Sequence, residues 1–77
     1  MGVTLKELGR LEEAEASYRQ AIALKSDYAE AHCNLGATLQ KFGRLEEAVA
    51  SYRQAIALKS DFSKAHYNLG ITLQELG

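Results

Sequence analysis

Gly43-Arg44-Leu45-Glu46-Glu47-Ala48 repeats Gly9-Arg10-Leu11-Glu12-Glu13-Ala14 at a distance of 34 residues, and the identity runs on to Ser60-Asp61 over Ser26-Asp27, broken only where Val49 replaces Glu15. A second block sets Ala65-His66 and Asn68-Leu69-Gly70 over Ala31-His32 and Asn34-Leu35-Gly36. Roughly 30 of the 43 aligned pairs are identical, so duplication of one unit is the simplest source of the chain.

Within the unit the apolar spacing is helical. Leu45, Ala48, Val49, Tyr52, Ala55 and Ile56 step by threes and fours, as do Tyr28, Ala31, Leu35, Leu39 and Phe42. Each set therefore lines one stripe of a helix, and alternation of the strand kind is absent. Gly43 can take positive φ and end a helix after Phe42. Ser60-Asp61 supplies oxygens suited to capping the next helix, and Asp27 with Glu30 has capping-box spacing that Lys64 removes from the second copy. The expectation is two helices per unit.

Composition narrows the function. Seventy-seven residues, 47% hydrophobic and 25% charged, describe a small globular chain whose stability rests on economical packing. A net charge of -1 gives no electrostatic reason to expect nucleic acid or an acidic membrane as partner. A single cysteine, Cys33, excludes an internal disulfide framework, and no apolar run approaches the roughly 20 residues of a membrane span. Met1 to Leu8 lack the pattern of a secretory signal. A reducing, cytoplasmic location is the expectation.

The positions of Leu35-Gly36, Gly43, Ala48, Tyr52 and Ala55 resemble the tetratricopeptide-repeat motif, which has the same period, over essentially the whole chain. The resemblance implies an all-α fold, a right-handed α-α superhelix of stacked antiparallel helix pairs. The segments are then 1–28, a partial repeat; 29–62, a complete repeat; and 63–77, the first helix of a further one. Two departures stand out: His32 and His66 occupy places where the motif often has Trp, and Ser26 and Ser60 places where it usually has Pro, leaving the sharpness of the turn open. In this register Gly36 and Ala48 are small where the helices of a pair approach, and Tyr18, Tyr52, Leu24 and Leu58 are large where pairs stack. Met1-Gly2 aligns with Leu35-Gly36, so the reading begins halfway along a first helix that turns at Gly9. It stops at the turn residue Gly77, with Leu69, Leu73 and Leu76 lacking a partner helix. Self-association through these exposed ends into a homo-oligomer is expected.

The resemblance implies a scaffold that binds a protein or peptide in a concave groove and catalyses nothing. Glu30, Cys33, Asn34, Ala37, Gln40 and Lys41 fall opposite the apolar stripe of their helix, and Lys64, Tyr67, Asn68, Ile71, Gln74 and Glu75 do likewise one unit later. Asn34 and Asn68 would stack at a regular interval, and amides that both donate and accept can engage a peptide main chain of any sequence. Equally, the two are helix-surface residues without a ligand. The strings Ala-His-Cys-Asn-Leu-Gly and Ala-His-Tyr-Asn-Leu-Gly are similar to repeats of the O-linked N-acetylglucosamine transferase family. The alternatives are thus a substrate-selecting segment of a larger glycosyltransferase-like enzyme, or a designed or excised repeat fragment with no ligand. Cys33, Tyr67, Ala37 and Ile71 stand where chaperone-tail binders of the family carry clamp residues, which argues against a complete carboxylate clamp. No cofactor and no metal is expected, since His32, His66 and Cys33 do not make a four-ligand zinc pattern. Cys33 beside His32 is not a catalytic pair, because adjacent helix residues point about 100° apart. Glu12-Glu13 and Glu46-Glu47 read as acidic helix starts.

Overall fold

The computed structural model of the chain describes residues 4–77. Among these there are four α-helices and no strand: α1 (Leu5–Leu24), α2 (Ala29–Lys41), α3 (Leu45–Leu58) and α4 (Ser63–Leu76). The fold is an all-α helical repeat. α2 is the hub: it packs most extensively on α3, then on α1, and touches α4, which in turn lies mainly on α3. The result is a slab of 35 × 32 × 16 Å rather than a ball.

The three-residue connection Phe42-Gly43-Arg44 folds α3 back against α2. Gly43 has φ +80, the left-handed region that a side chain disfavours. Its N–H donates to the Gln40 carbonyl at 3.0 Å and that of Arg44 to the Leu39 carbonyl at 3.0 Å, the paired bonds of a Schellman motif. The core lies between the stripes so apposed: Leu35, Leu39, Ala48, Tyr52 and Ala55, joined by Cys33 and Ala65. Full burial of a side chain such as Leu39 contributes about 2 kcal/mol. The close approach at the centre is specific, since a Cβ on Gly36 would stand 2.7 Å from Cε1 of Tyr52. Tyr52 therefore packs first on the glycine of its own helix pair.

The turns between pairs are the same in both copies. The Tyr28 N–H donates to the Lys25 carbonyl at 3.2 Å, and the Phe62 N–H to that of Lys59 at 3.1 Å. Lys25 Nζ lies 5.5 Å from the Tyr28 ring centre and Lys59 Nζ 4.8 Å from that of Phe62. A turn forms without proline.

Several expectations are corrected. Gly9 lies inside α1 and shows no positive φ, so the turn expected there is absent. The described residues before it, Thr4 to Leu8, are too few to bury a stripe as a separate helix, and continuing α1 satisfies their backbone groups in line. Thr4 starts that helix by accepting from the Glu7 N–H at 3.2 Å. Met1 and Gly2 lie outside the described residues. Glu12-Glu13 consequently sits within α1 rather than at a helix start, whereas Glu46 and Glu47 do occupy the first turn of α3. Asp27 and Asp61 do not cap: the residues at the starts of α2 and α4 are Tyr28 and Phe62, with no side-chain cap bond. The turn places each aspartate at its centre, one residue too early to reach the helix. Leu24 and Leu58, expected between pairs, are 83% and 37% exposed because each ends its helix beyond the reach of the neighbouring pair.

Candidate peptide-binding face

The face shared by α2 and α4 carries a cavity of about 330 Å³ lined by Ala37, Gln40, Lys41, Tyr52, Asn68 and Glu75. Gln40 organises it. Its Oε1 accepts from the Tyr52 hydroxyl at 2.8 Å, and its Nε2 donates to Glu75 Oε1 at 2.6 Å. One amide thus ties three helices and holds the Glu75 carboxylate over the cavity. Burial pushes the Tyr52 phenol up to about 12, with the thiol of Cys33 and the carboxylate of Glu75 adding in the same direction.

Asn34 and Asn68 are half-buried, one unit apart, and their side-chain amides hydrogen-bond to no described residue. Their backbones are fixed from below: Thr38 Oγ1 donates to the Asn34 carbonyl at 3.0 Å, and Thr72 Oγ1 to the Asn68 carbonyl at 2.8 Å. Both threonines are buried. They would be costly as unpaired core hydroxyls, and each is satisfied by bonding back along its own helix. This support is not legible in the sequence, because Thr at a helix centre reads as neutral.

The other expected site residues divide. Ala37 is half-buried in the cavity lining, Ile71 is half-buried elsewhere, and Lys64 and Tyr67 are exposed, Tyr67 at 70%. Tyr67 and Ile71 line a separate depression of about 310 Å³ on the outer side of α4, with His66, Gly70 and Gln74. Cys33 is not a groove residue. It is 1% exposed in the core, because α4 covers the side of α2 that a two-helix picture leaves open. Burial raises its thiol above the ordinary value, against the lowering effect of the Lys64 ammonium. The neighbouring His32 is engaged with the Ser26 carbonyl, 3.0 Å from Nε2, so the two side chains form no nucleophile and base. No group of three metal-ligating side chains occurs among the described residues.

Lys41 and Glu75, expected on the groove-facing side of their helices, do line this cavity, whereas Glu30 and Gln74 do not. A larger cavity, about 540 Å³, lies on the opposite side between α1 and α3, over His32 and Leu35 of α2. Leu69 packs on the core, while Leu73 and Leu76 are 42% and 45% exposed. No helix among the described residues is long and apolar enough to cross a membrane.

Comparison with curated proteins finds no match. The family model described as TPR repeat matches residues 2–43 and again residues 42–77. Those two matches span nearly the whole chain, one covering α1 and α2 and the other α3 and α4, so the chain belongs to the tetratricopeptide-repeat family.

Proposed function

We infer that the chain is a protein-interaction module whose α2–α4 face binds an extended polypeptide. Repeats of this family are generally protein–protein interaction modules. The observation that carries the finer reading is the pair Asn34 and Asn68: two half-buried amides, uncommitted within the described structure, at equivalent positions of α2 and α4. Each can donate to a peptide carbonyl and accept from a peptide N–H, so affinity follows the main chain more than the sequence. Gln40 and Glu75 supply further polar atoms at one end, and Lys64 a cation at the other. The same pair favours the related reading in which this face selects substrates for the catalytic part of a larger glycosyltransferase-like protein.

The test is binding of the 77-residue chain to sequence-randomised, end-blocked peptides, compared with Asn34→Ala, Asn68→Ala and the double variant. Each lost amide should weaken binding about 5-fold, and the pair about 30-fold, at roughly 1 kcal/mol per hydrogen bond. Neither side-chain amide bonds to another described residue and alanine favours the helix, so the variants should keep the wild-type helical circular dichroism. Equal binding by the double variant overturns the reading.

A further inference from the structure

We propose that this chain also assembles head to tail, α4 of one copy pairing with α1 of the next as α2 pairs with α3 inside a copy. The surface is distinct from the Asn34–Asn68 face and the inference does not rest on peptide binding.

The occupant is identified by the interface already present. From Leu11 to Leu24, α1 repeats α3 from Leu45 to Leu58 with a single difference, Glu15 for Val49. α4 repeats the residues of α2 that meet α3: Leu69 for Leu35, Gly70 for Gly36, Leu73 for Leu39 and Gln74 for Gln40 are all identities. Each chain therefore carries a second copy of both halves of its own helix-pair interface, one on α1 and one on α4.

Both halves are open among the described residues. Ala48, Tyr52 and Ala55 are each 0% exposed in α3, whereas α1 has no buried residue, and its equivalents Ala14, Tyr18 and Ala21 are only half-buried. α1 is covered by α2 alone. On α4, a Cβ built on Gly70 meets no described atom within 4 Å, in contrast to Gly36 beneath Tyr52. Gly70 is an empty seat for a tyrosine ring, and the Tyr18 hydroxyl of the next copy would reach Gln74 as Tyr52 reaches Gln40. The one difference does not obstruct this. Glu15 is turned along its own chain, bonded to Arg19 at 2.9 Å and Arg44 at 3.3 Å.

The straight course of α1 leaves the seat vacant. Thr4-Leu5-Lys6-Glu7-Leu8-Gly9 nearly repeats Thr72-Leu73-Gln74-Glu75-Leu76-Gly77. Folded back at Gly9, it would lie where α4 of another copy must lie; continued in line, it runs past the end of that helix instead. The register follows: residue 9 of one copy takes the place of residue 77 of the other, a step of 77 − 9 = 68 residues, or two units of 34. Such a contact joins different surfaces and leaves a free surface of each kind, so growth is open-ended rather than closed at a dimer.

Sedimentation velocity over a wide concentration range tests this. The average mass of the wild-type chain should climb without levelling at two copies. Gly70→Leu should abolish the climb while helical circular dichroism is retained, because the added side chain points into open space in the single copy. Ala14→Lys, on the α1 side, should do the same. Mixing the two variants should restore one junction and give a 1:1 dimer that grows no further. A wild-type chain that stays monomeric overturns the proposal. So does unchanged association of Gly70→Leu, a mixture that remains monomeric, or persistent dimerisation of Ala14→Lys alone, which would mean that α4 pairs with α4. Asn34→Ala/Asn68→Ala should assemble as wild type does, so failure here and failure of peptide binding are read separately.

Discussion

The Nε2 atom of His32 lies 3.0 Å from the carbonyl oxygen of Ser26, and the relationship recurs one unit later between His66 and Ser60, again at 3.0 Å. A carbonyl can only accept, so each imidazole carries its proton on Nε2. The two positions at which the sequence departs from the family motif are thus in contact with each other, twice. A ring nitrogen bonded to the turn secures the chain reversal that proline otherwise stiffens.

Replacing His32 by Ala should cost about 1 kcal/mol through the lost hydrogen bond. His66→Ala should cost less, because His66 is exposed whereas His32 is half-buried. The urea midpoint at unchanged slope measures both. Equal midpoints for wild type and His32→Ala would remove the anchoring role.

Ser60→Pro should stabilise. Lys59 before it is extended, with φ -143 and ψ 92, as a residue preceding proline must be, and the Ser60 N–H makes no backbone hydrogen bond among the described residues. The Ser60 carbonyl remains free to accept from His66. A gain of about 0.4–1 kcal/mol is expected from the restricted unfolded chain, visible as a raised melting temperature.

One substitution should have opposite signs at equivalent positions. Gly36→Ala forces a methyl to 2.7 Å from the Tyr52 ring and should destabilise by about 1–3 kcal/mol. Gly70→Ala meets open space in a helix and should stabilise by roughly 0.5–1 kcal/mol. Thermal melts on dilute chain, where copies are apart, make the comparison.

Tyr52 gives stability an alkaline limit. Its folded value, about 12, lies above the ordinary 10.0, so the folded state favours the neutral phenol. The contribution is complete below pH 10.0 and is lost as pH rises toward 12. In Tyr52→Phe that part of the decline should vanish, as should the latest step of phenolate absorbance, at a cost near neutrality of about 1 kcal/mol from the Gln40 bond.

Cys33 reports on α4. With its thiol buried and raised, labelling by a disulfide reagent requires α4 to lift from α2. The labelling rate should rise with urea along a shallower slope than global unfolding, since only part of the surface opens. A slope equal to the global one would mean that α4 detaches only when the whole chain unfolds.

The helical period, the 34-residue repeat and the turn at Gly43 were determined by the sequence alone. They follow from local rules: the step of threes and fours, duplication, and a residue free to take φ +80. That Asn34 and Asn68 recur at equivalent helix positions was legible for the same reason, whereas their half-burial was not, since the sequence pattern sets them opposite the apolar stripe. Only tertiary structure decided the rest. Gly9 and Gly43 sit in the same hexapeptide, yet one is inside a helix and the other breaks one, because Gly43 has a packed helix on each side and Gly9 does not. Cys33 and Tyr67 hold equivalent positions, yet one is 1% exposed and the other 70%, because α4 covers α2 and no described helix covers α4. A side chain's surroundings depend on which helices arrive beside it, and that is a property of the stack that no single helix encodes.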